Sequence, residues 1–434
     1  MNVQGERLRL LYPDLHGLDR GKYLYGEERR KANFCIGVYP LTLDREIIPV
    51  PGLQFDVGLP DMEAQLDEST LRQGWEPDTV VGLADTRFRG QPVAVDPREV
   101  LRRAVEPWRA MGLEPQLGYE FEFYLMEPDG QGGWREMRTP GARVYGTGMA
   151  VDPHGVVEEI VRASRASGFV IEAYNSEYDT PQFEINLEYE DALPAADAAF
   201  LWRVLAREVA ARRGFHCTFL PRPFGDRSGS GLHLNISFRD LSDGSNALTD
   251  PEAEDGLSRL AHRCIAGLLA HHEGLSGICG ANCNSYKRLQ PDMLAGYWAN
   301  WGYDDRTVTV RISPDRGAAT RLEHRVADAA ANPYLVGAAL LHAARMGVEA
   351  ELDPPPPQPV GQEPNTDRKV PPTLEAALDA LEADGALVEA LGPPLVEAFT
   401  MIKRAEWKKY AEAVGDPSTT EVTDWELAYY LPFF

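Results

Sequence analysis

Five short segments alternate apolar and polar residues, a period that puts successive side chains on opposite faces of a strand. In 117–125 (LGYEFEFYL), Glu120 and Glu122 point one way, and Phe121 and Phe123 the other. In 181–187 (PQFEINL), Gln182, Glu184 and Asn186 share a face backed by Phe183, Ile185 and Leu187. In 232–238 (LHLNISF), His233, Asn235 and Ser237 oppose Leu232, Leu234, Ile236 and Phe238. In 307–312 (TVTVRI), Arg311 sits with Thr307 and Thr309, and in 321–326 (RLEHRV), Arg321, Glu323 and Arg325 share a face.

Each segment therefore buries one face. For any one strand alone, a solvent-facing polar half is the plainer reading. The composition argues otherwise, because lysine is absent from all these polar faces. If the faces converge, carboxylates, an imidazole and guanidiniums meet at close quarters. Clustered carboxylates repel unless cations lie between them. Mg²⁺ and Mn²⁺ take oxygen ligands with an occasional imidazole. Arginines beside such a metal bind phosphate or carboxylate through paired donors. Together these are the parts that phosphoryl transfer needs.

The remainder of the chain sets limits. At 434 residues it exceeds one ordinary core, so a small and a large domain are expected. A net charge of −24 argues against a nucleic-acid or membrane-surface binder. The first residues, MNVQGERLRLLYPDL, hold no apolar stretch of signal-peptide length, and a cytoplasmic protein is expected. Cys35, Cys217, Cys264, Cys279 and Cys283 lack zinc-site pairing and read as buried, reduced thiols.

Residues 1–100 mix short apolar runs with turns and end in DPREVL, a helix start with Pro97 in its first turn. A strong helix is expected from Pro194 to Arg213, closed by Gly214. Residues 352–372 are too proline-rich for regular structure, and helices return over 373–389 and 394–413.

In order and at about the same spacing, the segments resemble the glutamine synthetase family from about Asp61 to Tyr334. The pieces carrying the resemblance are GYEFEF (118–123), EYDTPQFEI (177–185), RPFGDRSGSGLHLNIS (222–237), NSYKRL (284–289), RTVTVRI (306–312) and RLEHRVADAAANPYL (321–335). The resemblance implies an α+β fold: a small N-terminal β-grasp domain, here 1–100, and a large catalytic domain, here 101–434. In the latter, a curved antiparallel sheet forms a funnel, with ATP entering at one end and the acid at the other. It further implies ATP with two or three Mg²⁺ or Mn²⁺ ions, small-molecule substrates, and a ring-shaped decamer or dodecamer with sites shared between neighbours.

By the same resemblance, Glu122, Glu177 and Glu184 match the ligands of one metal, and Glu120, His233 and Glu323 those of a second. Arg306 and Arg311 match arginines on the transferred phosphoryl group, and Arg321 one on the nucleotide phosphates. Arg288, Arg325 and the backbone of Gly229 match groups that hold the acid substrate. Asn235, Ser237, Glu172 and Tyr189 match positions at the nucleotide.

Departures from the family pattern bear on the second substrate. Ammonia-using members carry an Asp-Gly-Ser-Ser element, which is missing from the matching stretch LTLDREIIPVPGLQFDVG (41–58). They also carry a glutamate six residues after the arginine of NSYKR, where this chain has Leu294, followed by Tyr297, Trp298 and Trp301. An apolar wall in place of a carboxylate suits an amine bulkier and less polar than ammonium. Thr366 stands near where regulated bacterial enzymes have a nucleotidylated tyrosine, so that control is not expected. WELAYYL (425–431) is similar to the endings of γ-glutamyl-amine ligases. The expected activity is ATP-dependent formation of a γ-glutamyl amide from glutamate, or a related acid, and a primary amine through an acyl phosphate. The alternatives are a glutamine synthetase using ammonium and a non-catalytic assembly protein.

Overall fold

The computed structural model describes residues 5–26 and 30–434. The described residues form two sheets. The first contains β1 (Arg7–Pro13), β2 (Asp19–Tyr25), β3 (Lys31–Cys35), β4 (Asp61–Leu66), β5 (Arg72–Gln73), β6 (Thr79–Phe88) and β7 (Gln91–Pro92). Its order is β2-β1-β6-β4-β3, with β5 and β7 also on β6. β1 and β6 are parallel, and the other pairs are antiparallel. This is the small N-terminal sheet unit expected. Cys35 departs from the buried-thiol expectation. It is exposed at the end of the edge strand β3, where Ala32 and Phe34 take the inward positions.

The second sheet contains β8 (Leu113–Pro128), β9 (Trp134–Glu136), β10 (Ile171–Ser176), β11 (Gln182–Leu187), β12 (Glu190–Asp191), β13 (His216–Thr218), β14 (Leu232–Asp240), β15 (Trp301–Tyr303), β16 (Val310–Ile312) and β17 (Leu322–His324). Its order is β10-β11-β8-β14-β17-β16-β15, with β9, β12 and β13 also on β8. The β15–β16 pair is parallel, an exception to the antiparallel sheet expected. β16 is shorter than the segment read from alternation. Thr309 lies outside it, buried, and donates its hydroxyl to the carbonyls of Gly296 and Trp298, while Thr307 bonds Asp305. Those two threonines therefore do not extend the face of Arg311.

The helices are α1 (Pro97–Ala110), α2 (Val156–Ala166), α3 (Ala192–Arg212), α4 (Arg259–Ala270), α5 (His272–Cys279), α6 (Ser285–Arg288), α7 (Pro333–Glu349), α8 (Leu374–Ala383), α9 (Gly385–Leu391), α10 (Pro393–Ala413) and α11 (Asp424–Tyr430). Asp96 caps α1 by accepting from the Arg98 amide, with Pro97 in the first turn. Past the end of α3, Gly214 takes φ +80°, the left-handed stop expected there. The helix expected over 373–389 is broken at Asp384. That carboxylate leaves the helical path to cap α9 through the Leu387 amide and to bind Nδ1 of His271 at 2.6 Å. Residues 352–372 hold no helix or strand beyond a single bridge between Lys369 and Trp298. No single helix among the described residues is long and apolar enough to cross a membrane.

The apolar halves of β8, β11 and β14 bury against α1 and α3. Phe121 sits 5.2 Å from Trp202 of α3, and Phe238 sits 4.2 Å from Trp108 of α1, by ring centroids. The opposite faces are thereby left to the cavity. Arg98 on α1, 1 % exposed, ties the first sheet to α3. It donates to both oxygens of Asp197 on α3 at 2.8 Å, to Asp67 at 2.7 Å, and to Asp85 on β6. Asp197 also accepts from the Tyr334 hydroxyl at 2.8 Å. Removing one partner of a buried ion pair costs about 3–5 kcal/mol, because the other charge is left uncompensated. Asp197→Ala should lower unfolding free energy by about that much, read as a shifted urea midpoint at unchanged slope.

Candidate active site

Strand register builds the site. Glu122 on β8 lies opposite Glu184 on β11, and Glu120 lies opposite both Asn186 on β11 and His233 on β14. Asn235 on β14 lies opposite Glu323 on β17, which in turn lies opposite Arg311 on β16. Directly opposed residues hold their Cβ atoms about 4.5–5.5 Å apart. A continuous row of polar side chains therefore crosses the sheet from β11 to β16.

Ligand atoms of Glu120, His233 and Glu323 lie within 4.8 Å of one another, as do those of Glu122, Glu184 and His233. Glu177, expected beside Glu122 and Glu184, lines the same cavity. Its carboxylate accepts from Asn175 Nδ2 at 3.0 Å and the Tyr178 amide at 3.2 Å. Asn235 donates to Glu120 at 2.8 Å, and the Gly231 amide donates to Glu122 at 2.6 Å. A Cβ on Gly231 would stand 2.7 Å from Nη2 of Arg288 and 2.8 Å from Nε2 of His233, so the close packing there requires glycine.

The row opens into a cavity of about 820 Å³. Every expected metal-ligand position lines it, together with Gly229, Arg288, Leu294, Arg306, Arg311, Arg321 and Arg325. A second cavity of about 510 Å³ is lined by Glu172, Tyr189, Asn235 and Ser237. Glu120, Glu184, Asn186 and Arg321 line both, so the two adjoin. Among the described residues, no lysine lines either.

Trp298, expected at the substrate wall, lies outside both cavities. Its ring meets Tyr297 edge-on at 5.0 Å and Lys369 at 5.9 Å, because the bridge to Lys369 turns this stretch against the proline-rich loop. Tyr297 and Trp301 are likewise not at the wall. Trp301 is buried, with Nε1 donating to Pro355 O at 2.7 Å. Apolar lining of the cavity that Leu294 borders comes instead from Val144, Tyr145, Tyr178 and Met293. The stretch 41–58 does not line either cavity.

The arginines are held partly by expected site residues and partly by Asp304 and Asp315, which sequence patterns did not single out. Arg311 donates to Glu323 at 2.8 Å and to Asp304. Arg325 donates to Glu323 and, at 3.2 Å, to the carbonyl of Leu294. Arg321 reaches Asn235 at 3.2 Å and Asp315 at 3.4 Å. Among the described residues, Nε of Arg311 and Nε of Arg325 are buried without a partner. Arg306 is exposed at the rim.

These charges do not balance over the row. Burial, followed by repulsion from Glu120, Glu122 and Glu177, pushes Glu184 up to about 9. Burial, then Glu177, pushes Glu122 up to about 7. Glu323 differs: burial works to raise it, but Arg325 and Arg311 outweigh that and hold it below the usual range. Burial, then Arg325, holds His233 well below its ordinary value, so its imidazole is neutral. Crowded carboxylates short of positive charge, with a neutral imidazole, make a donor set that fits hard divalent cations.

A pH dependence follows with a definite sign. Carboxyls with raised folded pKa values keep protons that the unfolded chain loses from about 4.5 upward, so the metal-free fold loses stability as pH rises toward 9. Thermal unfolding in EDTA should show the melting temperature falling between pH 5 and 9. Mn²⁺ should raise it more at the alkaline end, and Glu184→Gln should flatten the fall.

Fold and site together bring a cluster of carboxylates, an imidazole and a set of arginines to one cavity. Residues 94–430 match the family described as glutamine synthetase, catalytic domain. A glutamate–isopropylamine ligase from a Pseudomonas species is 34 % identical over 397 residues, 88 % of this chain and 84 % of its own. A glutamine synthetase from Pyrococcus abyssi is 31 % identical over 98 % of this chain and 96 % of its own. The ligand-free structure of GmaS aligns at a TM-score of 0.81 and 30 % identity, covering 98 % of this chain and 97 % of that one. The chain belongs to the glutamine synthetase family.

Proposed function

We propose that the chain is an ATP-dependent carboxylate–amine ligase, joining glutamate or a related acid to a primary amine larger than ammonium. The observation that carries this reading is the pair of adjoining cavities sharing Glu120, Glu184, Asn186 and Arg321. One is rich in carboxylates and guanidiniums, as an acid and a moving phosphoryl group require. The other, around Asn235, Ser237, Glu172 and Tyr189, has room for a nucleoside.

In this reading Glu122, Glu177 and Glu184 hold one divalent cation, and Glu120, His233 and Glu323 hold another. When bound, such ions screen charge on the phosphate oxygens. Arg288, Arg325 and the backbone at Gly229 seat the acid. An oxygen of its side-chain carboxylate attacks the γ-phosphorus of ATP, the bond to ADP breaks, and an acyl phosphate forms. Arg306 and Arg311 carry the charge of the group in transit, and Arg321 stays with the nucleotide. The amine nitrogen then attacks the acyl carbon, phosphate leaves, and the nitrogen loses a proton.

Leu294, Val144, Tyr145, Tyr178 and Met293 support an amine with an apolar substituent. The likeness to a glutamate–isopropylamine ligase points the same way. The chain is further proposed to divide near residue 100 and to assemble as a decameric or dodecameric ring. A panel of amines with glutamate, ATP and Mg²⁺, read by product mass, tests the function. γ-Glutamyl alkylamides should dominate. Strong turnover at low ammonium would instead make the protein a glutamine synthetase, and calorimetry showing no binding of ATP or Mg²⁺ would sink the ligase reading.

A further inference from the structure

The C-terminal helix meets the turn that precedes Arg288 without lining the cavity. Glu426 on α11 is fully buried, at 0 % exposure. Its carboxylate accepts from Nδ2 of Asn284 at 2.7 Å and lies 3.7 Å from Nζ of Lys287. Asn284 clasps the backbone of Arg222 on both sides: its Oδ1 accepts from the amide at 2.6 Å, and its Nδ2 donates to the carbonyl at 3.0 Å. The Arg222 guanidinium returns to the Lys287 carbonyl at 2.7 Å.

Arg288 comes next in the chain. Its guanidinium donates to the carbonyls of Val326 at 2.8 Å and Arg325 at 3.2 Å. Its stem runs so close over Gly229 that a Cβ there would stand 2.5 Å from Arg288 Cγ. The strip after Arg222 and the turn before Arg288 are thus joined to each other, and Glu426 anchors that joint.

An apolar side chain would dock a helix without the cost of desolvating a carboxylate and an ammonium. A buried carboxylate held between Asn284 and Lys287 instead fixes direction, since hydrogen bonds to charged groups are strong and oriented. We propose that Glu426 is a positioning residue. Through Asn284 and Lys287 it sets the turn that presents Arg288, and thereby the affinity for the acid substrate. The inference rests on the acid-seating role given to Arg288 above.

Glu426→Gln keeps the shape and an acceptor for Asn284 but removes the charge facing Lys287, whereas Glu426→Ala removes both. In the full-length protein, KM for glutamate should rise about tenfold in the glutamine variant, equivalent to about 1.4 kcal/mol. KM for ATP should stay within about twofold, less than 0.5 kcal/mol. A role in helix docking alone would lower the amount of active protein and leave every KM unchanged, and that result overturns the proposal. So does an equal rise in both KM values. If the alanine variant does not fold, the glutamine variant decides. Calorimetric binding of glutamate with ADP and Mg²⁺ reads the same effect without turnover. A wild type that binds glutamate but forms no amide therefore counts against the functional reading alone, while equal glutamate affinity in wild type and variant counts against Glu426.

Discussion

Glu323→Ala is expected to cut amide synthesis by about a thousandfold or more, a barrier increase of about 4 kcal/mol. The side chain, 2 % exposed, stands at a junction. On one side it groups with Glu120 and His233, where it is proposed to hold a cation. On the other it is shared by Arg311 and Arg325. Losing it removes a donor and frees the two guanidiniums proposed to stand beside the phosphoryl group and the acid. Glu323→Gln retains the volume but not the charge, and so separates lost chemistry from lost packing. Phosphate release reports the rate, and the Mn²⁺-induced rise in melting temperature reports the cation. A folded variant turning over at near wild-type rate would remove Glu323 from the machinery.

The second large effect is expected on choice of amine. Leu294 is 53 % exposed at the cavity mouth, at φ +53°, with its carbonyl held by Arg325. A non-glycine residue in that left-handed conformation is uncommon and marks a site held by its surroundings. Leu294→Glu keeps the backbone tether and puts a carboxylate where an alkyl group would otherwise rest. The ratio of kcat/KM for isopropylamine to that for ammonium should fall by about a hundredfold, the scale on which apolar contacts discriminate. Competition between the two amines, followed by product mass, measures it. An unchanged ratio would place the amine elsewhere.

What sequence could reveal depended on periodicity. Glu120 and Glu122 were legible because residues 119–123 of β8 alternate strictly, and Phe121 and Phe123 could be seen to turn away from them. Glu184, His233 and Asn235 were legible for the same reason. The approach of their strands to one another was not, since pairing joins residues as far apart as Glu120 and His233. Loops carry no period, so Val144 and Tyr145 gave no signal, and Trp298 looked like wall material only from its place after Leu294. The break at Asp384 was hidden because its cause, a bond to His271, lies more than a hundred residues away. Glu426 stood out only as part of the ending WELAYYL, and its partners Asn284 and Lys287 became visible only in three dimensions.

β8 pairs with β9, β11, β12, β13 and β14. A single inserted residue near its middle would turn Glu120 or Glu122 into the hydrophobic layer and bring a phenylalanine into the cavity. The reaction centre therefore tolerates almost no drift along this strand. The loops bearing Val144, Tyr145, Met293 and Leu294 hang outside that ladder and can exchange side chains without disturbing a strand pair. A lineage built on this scaffold is free to remodel the cavity wall while the carboxylate row stays locked.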